Sequence, residues 1–213
     1  MSEPKVDRIV TRGRIGVGDD GSGGVELENN VWVVGDDAQA IVIDASHDAE
    51  AIAGAVGDRE ALGILLTHGH EDHVNAALDA AARLDTHVYL HPADLFLWEA
   101  THGLAAPDFE LADGASFLVA GVEVVVAHTP GHTPGSVSFL APALGLVFSG
   151  DTLFPGGPGA TRWDYSSFPE ILDSIASRLF TLPGETAVHP GHGDDTTIGS
   201  ERPALAEWRS RGW

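Results

Sequence analysis

None of the 213 residues is a cysteine. Disulfides, thiolate nucleophiles, cysteine-ligated zinc and iron–sulfur clusters are therefore excluded, and any metal must rest on His, Asp or Glu. Basic residues are scarce: 11, all arginine except Lys5, stand against 32 acidic ones, for a formal charge of −21. A field of that sign repels phosphate backbones and anionic lipid, so neither nucleic acid nor a membrane is expected as a partner. A halophilic solvation shell is an alternative source of the same acidity. No stretch approaches the roughly 18 apolar residues of a membrane span. Met1-Ser2-Glu3-Pro4-Lys5 has no apolar run behind it to read as a signal peptide, so a cytoplasmic protein is expected. A Walker A sequence and a serine in the Gly-x-Ser-x-Gly nucleophile-elbow pattern are also missing. Gly16, Gly18 and Gly21 match a dinucleotide-binding spacing formally. However, Asp19 and Asp20 stand where a pyrophosphate would sit, and the segment runs into the strand-like Val25 to Val34 rather than a helix.

What is present is the composition of a packed domain, 43% apolar and 20% charged. Apolar, β-branched runs of strand length occur at Val31 to Val34, Ala40 to Ile43, Leu62 to Leu66, Val88 to Leu90, Val122 to Ala127 and Leu144 to Phe148. Gly35-Asp36-Asp37 reads as a hairpin connection. Helical spacing marks Ala49 to Val56, Asp72 to Leu84 and Pro169 to Leu179. In the second of these, Val74, Ala77, Leu78, Ala81 and Leu84 share one face. Strands interleaved with helices predict an α/β architecture with helices covering sheet faces, as one domain over residues 1–213.

Eleven histidines are many for this length, and their placement says more than their number. Thr67-His68-Gly69-His70-Glu71-Asp72-His73 follows the apolar run Leu62 to Leu66 and opens the helical segment. In extended backbone His68 and His70 project to the same side. Asp72 and His73 fall on the first helical turn, so one short loop can supply two neighbouring metal sites. Imidazoles and carboxylates are the ligands that divalent zinc, iron and manganese accept. The plainer reading is a polar loop with Asp72 as a helix N-cap.

Three later segments repeat one design of apolar strand, small-residue turn and ligand. Thr129-Pro130-Gly131-His132-Thr133-Pro134-Gly135-Ser136 fixes His132, Phe148-Ser149-Gly150-Asp151-Thr152 ends on Asp151, and Pro190-Gly191-His192-Gly193 holds His192. Loops at one end of a sheet converge on a site in this way.

These segments, in this order from about Asn29 to Gly193, resemble the metallo-β-lactamase superfamily, and within it the glyoxalase II-type hydrolases. The resemblance implies an αββα sandwich, two mixed sheets face to face with helices on the outer faces and metals at one edge. It places one metal on His68, His70 and His132, a second on Asp72, His73 and His192, and Asp151 between them. Asp44, ending Ile41-Val42-Ile43, matches an early aspartate of the family that stands behind a ligand and orients it. The implied cofactors are two divalent metal ions, zinc first, with iron or manganese as alternatives. The implied chemistry is attack by a metal-bridging hydroxide on a small acyl thioester, with Asp72 and Asp151 as the catalytic carboxylates.

Two features bear on specificity. After the last motif only a short tail follows, with Arg202, Arg209 and Arg211, in place of the helical region with which full-length glyoxalase II enzymes hold glutathione. The family's Gly-Arg-Ser/Thr-Asp segment is altered: Gly159-Ala160-Thr161-Arg162-Trp163-Asp164 has alanine where arginine is expected. Arg162, Trp163 and Tyr165 are candidate substrate contacts. The rival readings are a mononuclear iron persulfide dioxygenase on His68, His132 and Asp151, a lactonase, and a metal-binding module without catalysis. His70 stands where flavodiiron-type proteins carry glutamate, which argues against them, and Asp151 argues against a true β-lactamase.

The remaining histidines take structural readings. His128 and His189 pack or hydrogen-bond beside motif turns, and His87 and His91 bound a strand. His47, three residues after Asp44, can reach the pocket, with a surface loop as the plainer reading. His102 belongs to Leu95 to Asp108, a lid or a packed surface helix. Trp208 and Trp213 anchor the tail.

Overall fold

The computed structural model describes residues 3–17 and 23–212. Six strands, β1 (Lys5–Val17), β2 (Gly23–Gly35), β3 (Gln39–Ile43), β4 (Glu60–Leu65), β5 (Val88–Leu90) and β6 (Phe109–Glu110), form one mixed sheet in sequence order. A second mixed sheet is built from β7 (Ser116–Val119), β8 (Val122–His128), β9 (Val137–Ala141) and β10 (Leu146–Gly150). The short pair β11 (Leu153–Phe154) and β12 (Gly157–Pro158) stands apart, and β13 (Ala187–Pro190) and β14 (Thr196–Thr197) complete the second sheet in the order β14-β13-β10-β9-β8-β7.

Side-chain parity assigns each strand face to a layer. Val31, Val33, Val42, Ile64 and Leu66 turn toward the helices α1 (Ala49–Val56), α2 (Glu71–Val74), α3 (Ala77–Leu84) and α4 (Leu95–His102), where Ile52, Val74, Ala77 and Trp98 meet them. Trp32, Val34, Ile41, Ile43 and Leu65 turn the other way, onto Val124, Val126, Val137, Phe139 and Phe148 of the second sheet. The outer face of that sheet, through Val147 and Val188, packs on α5 (Phe168–Ser174), α6 (Ile198–Glu201) and α7 (Leu205–Arg211). The layers are therefore α, β, β and α. Both faces of β3 are covered, which is why it reads as a continuous apolar run rather than an alternation.

The expected elements appear with physically motivated adjustments. Asp36 closes the β2–β3 hairpin, its Oδ1 accepting from Ala38 N at 2.9 Å and Gln39 N at 3.1 Å. The helix expected over Asp72 to Leu84 is interrupted, because Ala76 N donates to Ala45 O at 3.0 Å instead of continuing the helical ladder. The strand expected from Leu144 starts at Leu146, since Pro142–Leu144 forms a 3-10 turn ended by Gly145 in the left-handed region. The glycine segment leads into β2, as expected, while Gly18, Asp19, Asp20 and Gly21 themselves lie outside the described residues. Leu95 to Asp108 contains the packed helix α4, with Trp98 buried. Trp208 is buried against Phe180, with ring centroids 6.1 Å apart; Trp213 lies outside the described residues. Among the described residues no helix is long and apolar enough to cross a membrane.

Strands β3 and β4 run parallel, as do β10 and β13, and their C-terminal ends meet at one edge of the sandwich. Bonds between the sheets lock that edge: Asn30 N donates to Gly191 O at 2.7 Å and Val137 N to Thr67 O at 2.8 Å. Two glycines permit the close approach. A Cβ at Gly150, which stands at φ +49, would lie 2.6 Å from Thr67 Cβ, and one at Gly191 would lie 2.6 Å from Asp151 Oδ1.

Candidate metal centre

The edge brings together all seven residues expected as ligands. Around one point stand His68 Nε2, His70 Nδ1 and His132 Nε2, with separations of 3.1 Å (His68 to His70) and 2.9 Å (His70 to His132). Around a second point stand Asp72 Oδ2, His73 Nε2 and His192 Nε2. There the two imidazole nitrogens are 3.2 Å apart and lie 3.6 and 3.2 Å from the carboxylate oxygen. Asp151 reaches both groups: Oδ2 is 3.6 Å from His132 Nε2 and 3.6 Å from His192 Nε2, and Oδ1 is 3.5 Å from His73 Nε2. Donors bound at about 2.1 Å around a tetrahedral cation sit about 3.4 Å apart, so both triads have the spacing of ligand sets. Asp72 turns its carboxylate into this cluster and makes no cap bond, which displaces the N-cap reading; His70 occupies the cap position of α2.

The outer nitrogen of every ligand histidine is engaged, and this sets where the lone pairs point. His132 Nδ1 donates to Ala160 O at 2.7 Å, His192 Nδ1 to Glu28 O at 2.7 Å, and His73 Nδ1 to Asp44 Oδ2 at 2.9 Å. Thr67 Oγ1 donates to Asp44 Oδ2 at 2.9 Å, so its lone pairs are left to accept from His68 Nδ1 at 3.0 Å. These four partners are acceptors, so each ring carries a proton on its outer nitrogen and turns its other nitrogen toward the cluster. The fifth, His70, meets Tyr165 Oη through Nε2 at 2.9 Å. The same logic explains the Ala160 substitution: what reaches His132 is the backbone carbonyl, which any residue supplies.

Electrostatics divides the two triads. Burial and the neighbouring imidazoles push His68 well below the usual histidine range. Burial and His132 push His70 down to about 3, and burial also lowers His132. These rings are neutral, as ligands require. Burial opposes protonation of His73 too, but Asp72, Asp151 and Asp44 outweigh it and lift the ring to about 10. His192 is raised against its burial by Asp151 and Asp72. Asp72 is held below the usual carboxylate range, because His73, His192 and Asn29 outweigh its burial. This second triad is an electronegative pocket that favours positive charge.

Divalent cations fit the donor set. Asp151 Oδ1 is a buried carboxylate oxygen with no hydrogen-bond partner, an arrangement that destabilises a protein unless a cation neutralises it. The centre forms the floor of a cavity of about 500 Å³ walled by Ile15, Leu27, Leu97, Phe154 and Trp163. Arg162 and Trp163, candidate substrate contacts, line it, with the guanidinium 4.9 Å from the Trp163 ring centre. Tyr165 instead commits its hydroxyl to His70 and stacks on Trp163, centroids 6.0 Å apart.

Several participants were not singled out from the sequence. Asn29 donates to Asp72 Oδ2 at 3.1 Å, and His47, expected on a surface loop, stands directly behind it with Nε2 2.9 Å from Asn29 Oδ1. Asn29-Asn30, a fully polar pair inside β2 directly before the apolar run Val31 to Val34, is the signal that marks this position. Asp94 is buried between two ligand loops. His128 and His189 take the expected packing roles, on His91 and on Trp32, with ring centroids 4.3 Å apart in each pair.

Similar proteins match this chain over most of its length. An uncharacterized protein of Aquifex aeolicus is 39% identical over 188 residues, covering 81% of this chain and 88% of its own. Hydroxyacylglutathione hydrolase GloC of Haemophilus influenzae is 32% identical over 192 residues, covering 83% of this chain and 91% of its own. Among solved structures, TTHA1623 in a di-iron-bound form superposes with a TM-score of 0.71 at 38% identity, covering 83% of this chain and 93% of that one. The family model described as the metallo-beta-lactamase superfamily matches residues 24–192, which enclose both triads and Asp151. On this match and on the layered fold that carries the centre, the chain belongs to the metallo-beta-lactamase superfamily.

Proposed function

We propose that this protein is a dinuclear metal-dependent hydrolase that cleaves a small acyl thioester in the manner of glyoxalase II. The observation that carries this reading is the convergence of two complete ligand triads on one shared carboxylate, Asp151, at the floor of an open cavity. His68, His70 and His132 would hold one cation and Asp72, His73 and His192 the other, with Asp151 reaching both. Zinc is the first candidate, with iron or manganese as alternatives; the di-iron form of TTHA1623 supports the iron option. When bound, such ions supply a water acidified to hydroxide near neutral pH and positive charge for the oxygen of a carbonyl under attack.

The chain's own residues do the rest. Asp44, Thr67, Ala160 and Glu28 hold four of the imidazoles in their tautomers and orientations, and Tyr165 holds the orientation of His70, so the ligand set needs little rearrangement during turnover. Leu97, Phe154 and Trp163 wall the approach and exclude water from the apolar part of a substrate. Arg162, with no ion pair among the described residues, presents its guanidinium at the cavity to a carboxylate on the substrate's thiol carrier. The hydroxyacylglutathione hydrolase relative supports the thioester class. A mononuclear iron centre on His68, His132 and Asp151 would leave Asp72, His73 and His192 converged without a cation, which favours the dinuclear reading. The open cavity argues equally against a module without catalysis.

The test is thiol release from a panel of small acyl thioesters by metal-loaded protein, with lactones as controls. Release from thioesters that is lost in Asp151→Ala supports the reading. Hydrolysis of lactones alone, or turnover unchanged in Asp151→Ala, overturns it, as does oxygen uptake with a persulfide substrate.

A further inference from the structure

Behind the Asp72–His73–His192 triad runs a polar chain that holds no ligand and lines no cavity. It begins at His47, which stands at φ +61 in the loop after β3. Gly13 of β1 packs so tightly on its ring that any Cβ there would overlap the imidazole. Three hydrogen bonds then fix each orientation in turn. His47 N donates to Asn75 Oδ1 at 2.6 Å, so the other arm of that amide is its NH2. This NH2 donates to His47 Nδ1 at 3.0 Å, which leaves the ring proton on Nε2. Nε2 donates to Asn29 Oδ1 at 2.9 Å, and the Asn29 NH2 is thereby turned toward Asp72 Oδ2 at 3.1 Å. A backbone N–H, which can only donate, starts the sequence, and an ionised carboxylate, which can only accept, ends it. The amide and tautomer assignments therefore follow from the ends of the chain.

Asn29 is fully buried, and its NH2 faces each donor of this triad. Besides Asp72 Oδ2 it lies 3.3 Å from His73 Nε2 and 3.5 Å from His192 Nε2. Its neighbour Asn30 turns away, onto Pro190 O at 3.0 Å and Gly193 O at 2.9 Å.

We infer that Asn29 is a positioning residue for the second cation alone, its amide aimed by His47 and Asn75 so that it fixes the ligand oxygen of Asp72. The inference rests on the two-cation reading of the centre. His47 acts through Asn29 and contacts neither substrate nor cation. Because Asn29 Oδ1 is occupied by His47, the amide presents N–H rather than oxygen to the site and adds no fourth donor. Partners of this kind alter metal affinity by about 10- to 100-fold when removed.

The experiment is a competition titration of zinc against a chromophoric chelator, on the full chain stripped of metal, which resolves the two equivalents. Asn29→Ala is expected to weaken one equivalent by about 10- to 100-fold and to leave the other unchanged. His47→Leu should do the same. His47→Gln, whose Nε2 amide still donates toward Asn29 Oδ1, should recover most of the lost affinity; this comparison decides the matter even if Asn29→Ala fails to fold. Two unchanged equivalents in both Asn29→Ala and His47→Leu overturn the proposal, as does equal weakening of both equivalents. If the unsubstituted chain itself takes up fewer than two zinc ions, the two-cation reading fails, and the site assigned to Asn29 goes with it.

Discussion

Asp94 Oδ2 accepts a hydrogen bond from Thr133 Oγ1 at 2.6 Å and thereby ties α4 to the turn that holds His132. The same carboxylate accepts from Gly69 N at 2.8 Å and Gly135 N at 2.6 Å, so one buried side chain clamps the loop of His68 and His70 to the loop of His132. Asp94→Ala strands three buried donors, each worth about 1–3 kcal/mol. The expected loss of stability is therefore about 3 kcal/mol or more, read as a lower urea midpoint at unchanged slope. A midpoint like that of the unsubstituted protein would show that the clamp is dispensable.

Tyr165 is the one partner of a ligand imidazole that can either donate or accept, and it is joined to His70 alone. Tyr165→Phe keeps the ring stacked on Trp163 and removes only the hydroxyl. The affinity for one zinc equivalent should fall by about 10-fold, with little change in stability. Affinity equal to that of the parent would mean that packing alone orients His70.

A layered α/β fold was legible in the interleaved strand and helix patterns, and the αββα order only through the family resemblance that the histidine motifs carry; apolar runs such as Val31 to Val34 and Ala40 to Ile43 belong to strands buried on both faces. The seven candidate ligands were legible because each is fixed by a local motif, a short loop closed by glycine, proline or a helix turn. Of the residues that support them, Asp44 was legible through the family resemblance and the rest were not, for a physical reason. Glu28 and Ala160 act through backbone carbonyls, which leave no trace in residue type. Asn29, His47 and Asn75 meet only when β2, the loop after β3 and the end of α2 pack together, so no sequence spacing reveals them. Strand β1 was missed because its outward side chains, Arg8, Arg12 and Arg14, break the apolar pattern on a strand that lies at the sheet edge.

His91 and His128 stack face to face, with centroids 4.3 Å apart and planes 10° from parallel. Burial and the facing His128 ring push His91 down to about 4, against the pull of Asp113. Above pH 6.5, the ordinary value, neither the folded nor the unfolded chain protonates this ring and it contributes nothing. As pH falls from 6.5 toward 4 the unfolded chain binds a proton that the folded one refuses, so folded stability declines. His91→Gln removes that decline. Urea titrations from pH 7 to 4 should show the variant gaining on the parent as pH falls, and a constant difference would contradict the assignment.

Arg162 lies over Trp163 at the cavity, and charge-assisted recognition is the role assigned to it. Arg162→Gln should raise KM about three- to tenfold for a thioester whose carrier bears a carboxylate, and the increase should shrink at high salt. A neutral analogue of the same size should be unaffected. Equal changes for both substrates would point to packing rather than charge.

Two cations sharing Asp151 would be seen first in the metal content of the purified protein, by element and per chain. Close to two divalent ions per chain are expected, falling below one in Asp151→Ala. A single ion per chain under metal-replete conditions, or two ions retained without Asp151, would contradict the shared centre.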